Sequence, residues 1–204
     1  MSEYLDLSHT LNNQTPVYPG DPAVEVSVAG SIPSEGYRDH KVVLGTHIGT
    51  HIDAPAHMID AGTPLKDYSL DRFIGRAYCV DGFDLESLRN LTLTNGDIVL
   101  FATGMSKQYH DPEYFTDFPV MSHEIVDYLI EKQVKLVGID TGSADCDDGF
   151  PVHKELLGAD ILIVENLTNL DSLIGQTFDF MALPLKLEHD GAPVRAVATN
   201  WRRV

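Results

Sequence analysis

Residues Thr46 to Met58, THIGTHIDAPAHM, crowd three histidines and one aspartate into eleven residues and punctuate them with Gly49 and Pro55. That punctuation restricts the local fold. Gly49 lets the backbone bend between two of the histidines, and Pro55 stops a helix and fixes the approach of His57, so a long helix carrying an HxxxH pair on one face is disfavoured. His47, His51 and Asp53 form an HxxxHxD set, two nitrogens and an oxygen suited to a divalent transition metal such as zinc or manganese. His57 lies four residues past the aspartate, near enough to serve the same site without ligating. These residue types favour a metal-activated hydrolase.

The rest of the chain bounds the setting. Its 204 residues, 43% hydrophobic, suffice for a substantial core and suit one domain over residues 1–204. Only 14 Lys and Arg stand against 31 Asp and Glu, a net charge of −17, which leaves no basic stripe for nucleic acid or anionic lipid. MSEYLDLSHTLNNQ has neither a basic n-region nor an apolar h-region, and no apolar run approaches the roughly 18 residues of a membrane span, so a cytoplasmic protein is expected. Cys79 and Cys146 match no zinc or redox spacing; Cys79 reads as a small core residue.

Short β-branched runs alternate with polar turns in the first half. The pattern predicts strands over Tyr4 to Ser8, Val24 to Val28, Lys41 to Gly45, Arg76 to Asp81 and Asp97 to Ala102, with YPGDP and TNGD as turns. SHEIVDYLIEKQV then reads as a helix N-capped by Ser122, and KLVGID as a buried strand. PVHKELLGAD predicts a short helix opened by Pro151, ILIVENL a second buried strand, and TFDFMAL and PVRAVAT the closing strands. The expected fold class is α/β with a mixed sheet and a β-rich N-terminal half.

KLVGID and ILIVEN end in carboxylates, Asp140 and Glu165, at the strand ends where ligands gather in open α/β sheets. Asp140 is equally suited to a turn or N-cap in DTGS. Glu165 has a partner: an aspartate bound to one metal can bridge to a second, and His153 and Glu165, twelve residues apart, are natural ligands for it. The acid-rich ADCDDG lacks the EF-hand spacing and reads as a solvated loop, and His9, His40, His110, His123 and His189 read as ordinary.

HIGTHIDAPAH matches the HxGTHxDxPxH signature of the metal-dependent cyclase family, which includes bacterial kynurenine formamidases and isatin hydrolase. The chain also resembles that family in PVYPGD (Pro16 to Asp21), in a GxDxxSxD segment from Gly138 to Asp145, in the His153 and Glu165 spacing, and in LPLKLEHDGAPVRAVA (Leu183 to Ala198). The resemblance implies a swivelling β/β/α fold and a homodimer or larger assembly. It implies His47, His51 and Asp53 as ligands of one metal, Asp53 bridging to a second held by His153 and Glu165, and His57 as catalytic acid/base. Two such cations share a water, lower its pKa from 15.7 toward about 7 and polarise a carbonyl.

Kynurenine formamidases of this family commonly carry an aromatic residue, often Trp, before the PGD turn; here it is Tyr18, a candidate to stack on an aryl substrate, while the single tryptophan, Trp201, is far away in sequence. The leading expectation is hydrolysis of a small amide, the formyl amide of N-formyl-L-kynurenine in tryptophan catabolism. The alternatives are opening of a cyclic amide or lactone, a cyclase, and a metal-dependent small-molecule binding protein without turnover.

Overall fold

A computed structural model of the chain describes residues 4–146 and 149–203, with side chains through Asn200. Asp147 and Asp148 of ADCDDG, and the side chain of Trp201, lie outside what is described.

The strands are β1 (Tyr4–Asp6), β2 (Glu25–Gly30), β3 (Asp39–Val43), β4 (His51–Asp53), β5 (Ile74–Asp81), β6 (Ile98–Ala102), β7 (Leu136–Ile139), β8 (Leu162–Glu165), β9 (Gln176–Pro184) and β10 (Gly191–Arg203). Among the described residues four α-helices join them: α1 (Ile32–Glu35), α2 (Leu85–Arg89), α3 (His123–Glu131) and α4 (Pro151–Gly158). The main sheet runs β1-β10-β4-β8-β7-β6-β5-β9, and a further β10–β9 pairing closes seven of its strands into a barrel. Strands β5 to β8 are parallel, and the β4, β9 and β10 pairings are antiparallel, so the sheet is mixed.

Side-chain alternation explains both layers. Ala77 and Cys79 of β5, Leu100 of β6, Leu162 and Val164 of β8, and Phe178 and Phe180 of β9 point into the barrel, where the rings meet the small Ala192, Ala196 and Ala198 of β10. The intervening Val99, Phe101, Val137, Ile139 and Ile163 point outward onto Ile125, Val126 and Leu129 of α3 and Leu156 and Leu157 of α4. Strands buried on both faces need continuous apolar sequence, which is why KLVGID and ILIVEN lack polar alternation. Gly138 lies among the inward residues because a Cβ there would meet Leu100 Cδ2 at 2.4 Å and Leu167 Cδ1 at 2.6 Å.

Both expected turns occur. Gly20 takes φ +102° in YPGDP with Asp21 N–H bonded to Tyr18 O, and Gly96 takes φ +82° in TNGD, where Thr94 N–H donates to the Asp97 carboxylate. Ser122 occupies the N-cap of α3 but makes no side-chain bond to the helix backbone. Cys79 is buried, and burial pushes its thiol up to about 12. Cys146 is exposed. Among the described residues no helix is long and apolar enough to cross a membrane.

Strands β2 and β3 form a separate two-stranded arm carrying α1 at its tip, and every residue of β3 is exposed. Asn13 braces its root, its side-chain amide donating to Val26 O and its carbonyl accepting from Val26 N.

Asp140 settles into a structural role. Its buried carboxylate accepts from Thr103 N (2.8 Å), Thr103 Oγ1 (2.6 Å) and Gly104 N (2.9 Å), latching the end of β7 to the end of β6. We expect Asp140→Ala to cost about 2 to 4 kcal/mol, because buried donors lose a charged acceptor. Urea unfolding measures this; a loss below about 0.5 kcal/mol would refute the latch.

Candidate metal centre

Strand β4 is three residues long, and all three are buried. Ile52 points into the barrel, so His51 and Asp53 share the opposite face. Antiparallel register sets His51 opposite Glu165 of β8 and Asp53 opposite Gly191 of β10. Gly49, at φ +58°, turns the chain between His47 and His51, and Pro55 opens a single 3-10 turn, Pro55–His57, that returns His57 to the same place. His153 arrives from the first turn of α4.

The structure therefore brings His47, His51, Asp53, His57, His153 and Glu165 together. His51 Nε2 lies 3.4 Å from Asp53 Oδ1 and 3.5 Å from Glu165 Oε2; His153 Nε2 lies 3.1 Å from Glu165 Oε1 and 3.8 Å from Asp53 Oδ2. Tetrahedral ligands about 2.1 Å from one ion lie roughly 3.4 Å apart, so the spacings among His51, Asp53 and Glu165 fit a cation between them, a group to which His153 is a neighbour and not a member. Asp53 Oδ2 is buried without a hydrogen-bond partner, the kind of oxygen a cation satisfies. Asp53 belongs to two groups with ligand atoms within 4.8 Å of one another, one with His51 and Glu165, the other with His47 and His57. His51 thus stands beside Glu165 rather than with His47 alone.

Each candidate ligand imidazole has one nitrogen facing a central carboxylate and the other tied outward. His51 Nδ1 bonds Gly49 O at 2.8 Å, His153 Nδ1 bonds Asp145 Oδ2 at 2.7 Å, and His47 Nε2 bonds Asp190 Oδ2 at 2.8 Å, while His47 Nδ1 meets Asp53 Oδ1 at 2.6 Å. Such outer partners orient metal-binding histidines. Asp145 also accepts from Val152 N and His153 N, doing for α4 what an N-cap side chain does.

Charge is concentrated here. Burial raises the Asp53 carboxyl, but His51 and His47 outweigh it and hold Asp53 below the usual range. Burial lowers His47 and His153, yet their carboxylate neighbours win and raise them to about 9 and about 10. Burial lowers His57 and, together with neighbouring imidazoles, outweighs the pull of Asp53.

His47, His51, His57, His153 and Glu165 line a cavity of about 380 Å³ together with Tyr18, Met58, Phe115 and Phe150, with Tyr18 edge-on to Phe115 at 5.9 Å. His9 lies outside its lining, stacked on Tyr109 at 3.7 Å, and burial lowers it to about 4. Two residues at the site escaped sequence reasoning. Asp190 has no signal beyond its place in the closing segment, and Asp145, which ends the GxDxxSxD segment, also falls in ADCDDG, expected as a solvated loop, although it is 2% exposed.

The family model described as "Putative cyclase" matches residues 5–146. The chain belongs to that family. An uncharacterised protein of Methanocaldococcus jannaschii is 40% identical over 202 residues, 96% of this chain and 98% of its own. The kynurenine formamidase of Bacillus mycoides is 33% identical over 208 residues, covering 96% of this chain and 97% of the relative. An isatin hydrolase bound to the product analogue thioisatinate shares the fold at a TM-score of 0.86 and 24% identity, over 99% of this chain and 93% of its own. A potential metal-dependent hydrolase with cyclase activity has a TM-score of 0.80 and 27% identity, over 98% of each chain.

Gly191 tests the packing behind this cyclase-family site. A Cβ there would meet His47 Cε1 at 2.5 Å and Ile52 O at 3.0 Å. Because His47 is held at both nitrogens, we expect Gly191→Ala to lower divalent-metal affinity at least about tenfold, the usual scale for disturbed outer-shell support. Competition against a chromophoric chelator reads this out, and wild-type affinity would show that His47 adjusts freely.

Proposed function

We propose that the chain is a metal-dependent hydrolase of a small aryl amide, with N-formyl-L-kynurenine, cleaved to kynurenine and formate, as the leading substrate. The observation that carries this is the buried Asp53 shared by two groups of ligand atoms, with His57 beside them at an aromatic-walled cavity. The whole-length likeness to a kynurenine formamidase supports the substrate, and the likeness to a potential metal-dependent hydrolase supports the chemistry.

In this proposal His47, His51, Asp53, His153 and Glu165 hold one or two divalent ions, zinc or manganese. A bound cation supplies Lewis-acid polarisation of the carbonyl and a lowered pKa for water. His57, its side chain 23% exposed, is neutral near pH 7 because burial lowers it, and a neutral imidazole is a base. It takes a proton from the attacking water as the water oxygen bonds the formyl carbon, then returns it to the aniline nitrogen as the C–N bond breaks. Tyr18, Phe115 and Phe150 hold the aryl ring, and a 380 Å³ cavity suits a one-ring compound.

Protein stripped with a chelator and reloaded with zinc or manganese is expected to hydrolyse N-formyl-L-kynurenine at about 10⁴ M⁻¹s⁻¹ or more. His57→Ala should keep its metal and lose about 10² to 10⁴ in rate. Metal bound without turnover would remove this substrate; turnover of isatin in its place would shift the assignment to cyclic amides, and tight binding without product to a non-catalytic receptor. Loss of metal in His57→Ala would make His57 a ligand.

We also propose that a second copy covers the β2–β3 arm. Val28 (69% exposed), Ile32 (60%), Tyr37 (59%) and Val42 (52%) crowd onto it, and a lone hairpin is marginal in water. Light scattering should give the mass of two chains, and Val28→Asp with Val42→Asp should halve it. A one-chain mass for the unaltered protein would exclude the dimer.

A further inference from the structure

Asp190 precedes β10 and is held at both ends of the residue. Its carbonyl accepts from Ala54 N at 2.8 Å, beside Asp53, and Thr46 Oγ1 lies 3.4 Å from its Oδ1. The other carboxylate oxygen, Oδ2, is 2.8 Å from His47 Nε2 and 3.6 Å from His57 Nδ1. Between these contacts the two imidazoles are stacked, their centroids 3.8 Å apart and their planes 29° apart. One oxygen therefore faces one nitrogen on each of two stacked rings.

That geometry has a tautomeric consequence. A neutral imidazole carries one N–H and one lone pair. Where His47 Nδ1, the nitrogen facing Asp53, gives its lone pair to a cation, the remaining proton sits on Nε2, and Asp190 Oδ2 is its acceptor. Where His57 directs its Nδ1–H at the same oxygen, its Nε2 is left as the basic nitrogen. At 3.6 Å the His57 contact is longer than a hydrogen bond, an approach that shortens to one if the two groups tighten when substrate binds, as catalytic contacts often do.

We propose that Asp190 is a positioning residue that sets the tautomers of His47 and His57 together, so that the nitrogen of one is free for metal and the nitrogen of the other for the proton. This rests on the roles given above to His47 and His57. The base-and-orienter arrangement recurs wherever a carboxylate fixes an imidazole for proton transfer.

The test uses the full chain loaded with zinc and labelled with ¹⁵N-histidine. In the unaltered protein His57 should show the Nδ1–H tautomer. In Asp190→Asn, close in shape but uncharged, that tautomer should lose its dominance, zinc affinity should fall about 10- to 100-fold, and kcat at saturating zinc should fall about tenfold or more with KM unchanged. Asp190→Glu, which restores the charge, should recover part of the zinc affinity and of the His57 tautomer. Asp190→Asn with wild-type zinc affinity and an unchanged His57 spectrum would overturn the proposal. Loss of zinc affinity with His57 unchanged would overturn the shared role. Should no amide be turned over by the unaltered protein, the substrate assignment fails, and the tautomer and affinity measurements still decide the role of Asp190.

Discussion

Closure of the barrel and assembly of the site depend on the same three residues. Strand β4 joins β8 to β10, so without its pairing the closed ring opens. Because side chains alternate, the register that sends Ile52 into the apolar interior also sends His51 and Asp53 outward to meet Glu165 and His153. A slip of one residue would place an imidazole and a carboxylate among Leu100, Phe178 and Phe180 and leave Ile52 among the histidines and carboxylates of the site. The cost of burying those polar groups in an apolar core would be several kcal/mol, far above what a three-residue pairing contributes. The barrel core thus selects the register, and the register builds the site.

Outside the barrel, the imidazoles gain direction from groups that never face the centre. Gly49 O, Asp145 and Asp190 each take one ring nitrogen, which leaves the opposite nitrogen of His51, His153 and His47 turned inward. These three anchors come from different places: a left-handed turn, the loop before α4, and the residue before β10. Asp145 joins two tasks, since the carboxylate that orients His153 also satisfies the first amides of the helix carrying it. Helix and imidazole are therefore fixed by one group.

Much of this was legible in the sequence, for identifiable reasons. Long apolar runs such as KLVGID and ILIVEN announced buried strands, because parallel strands covered on both faces cannot afford polar alternation. Gly49 and Pro55 were readable as a bend and a stop, and they appear as a positive φ and a 3-10 turn. Strand β4 was not readable, since three residues carry no periodicity and its pairing is decided by β8 and β10, more than a hundred residues away in sequence. Asp145 and Asp190 were missed for a related reason: composition cannot separate a buried carboxylate from a solvated one when its partner is remote or lies across a loop.

Among the described residues no lysine or arginine lines the cavity, although buried Glu165 lines it and buried Asp53 lies against its histidines. Buried carboxylates need compensating positive charge, and here imidazoles are the available source. His47 and His153 accordingly hold protons up to about 9 and about 10, against the burial that would strip them. Protons and a divalent cation are thus alternative answers to one electrostatic demand, since ligation takes the same lone pairs that protonation takes. His57 differs in sign: burial and its imidazole neighbours lower it. Burial keeps His57 neutral against the pull of Asp53 and Glu165, the same carboxylates that would draw a cation, and neutral is the state a base requires.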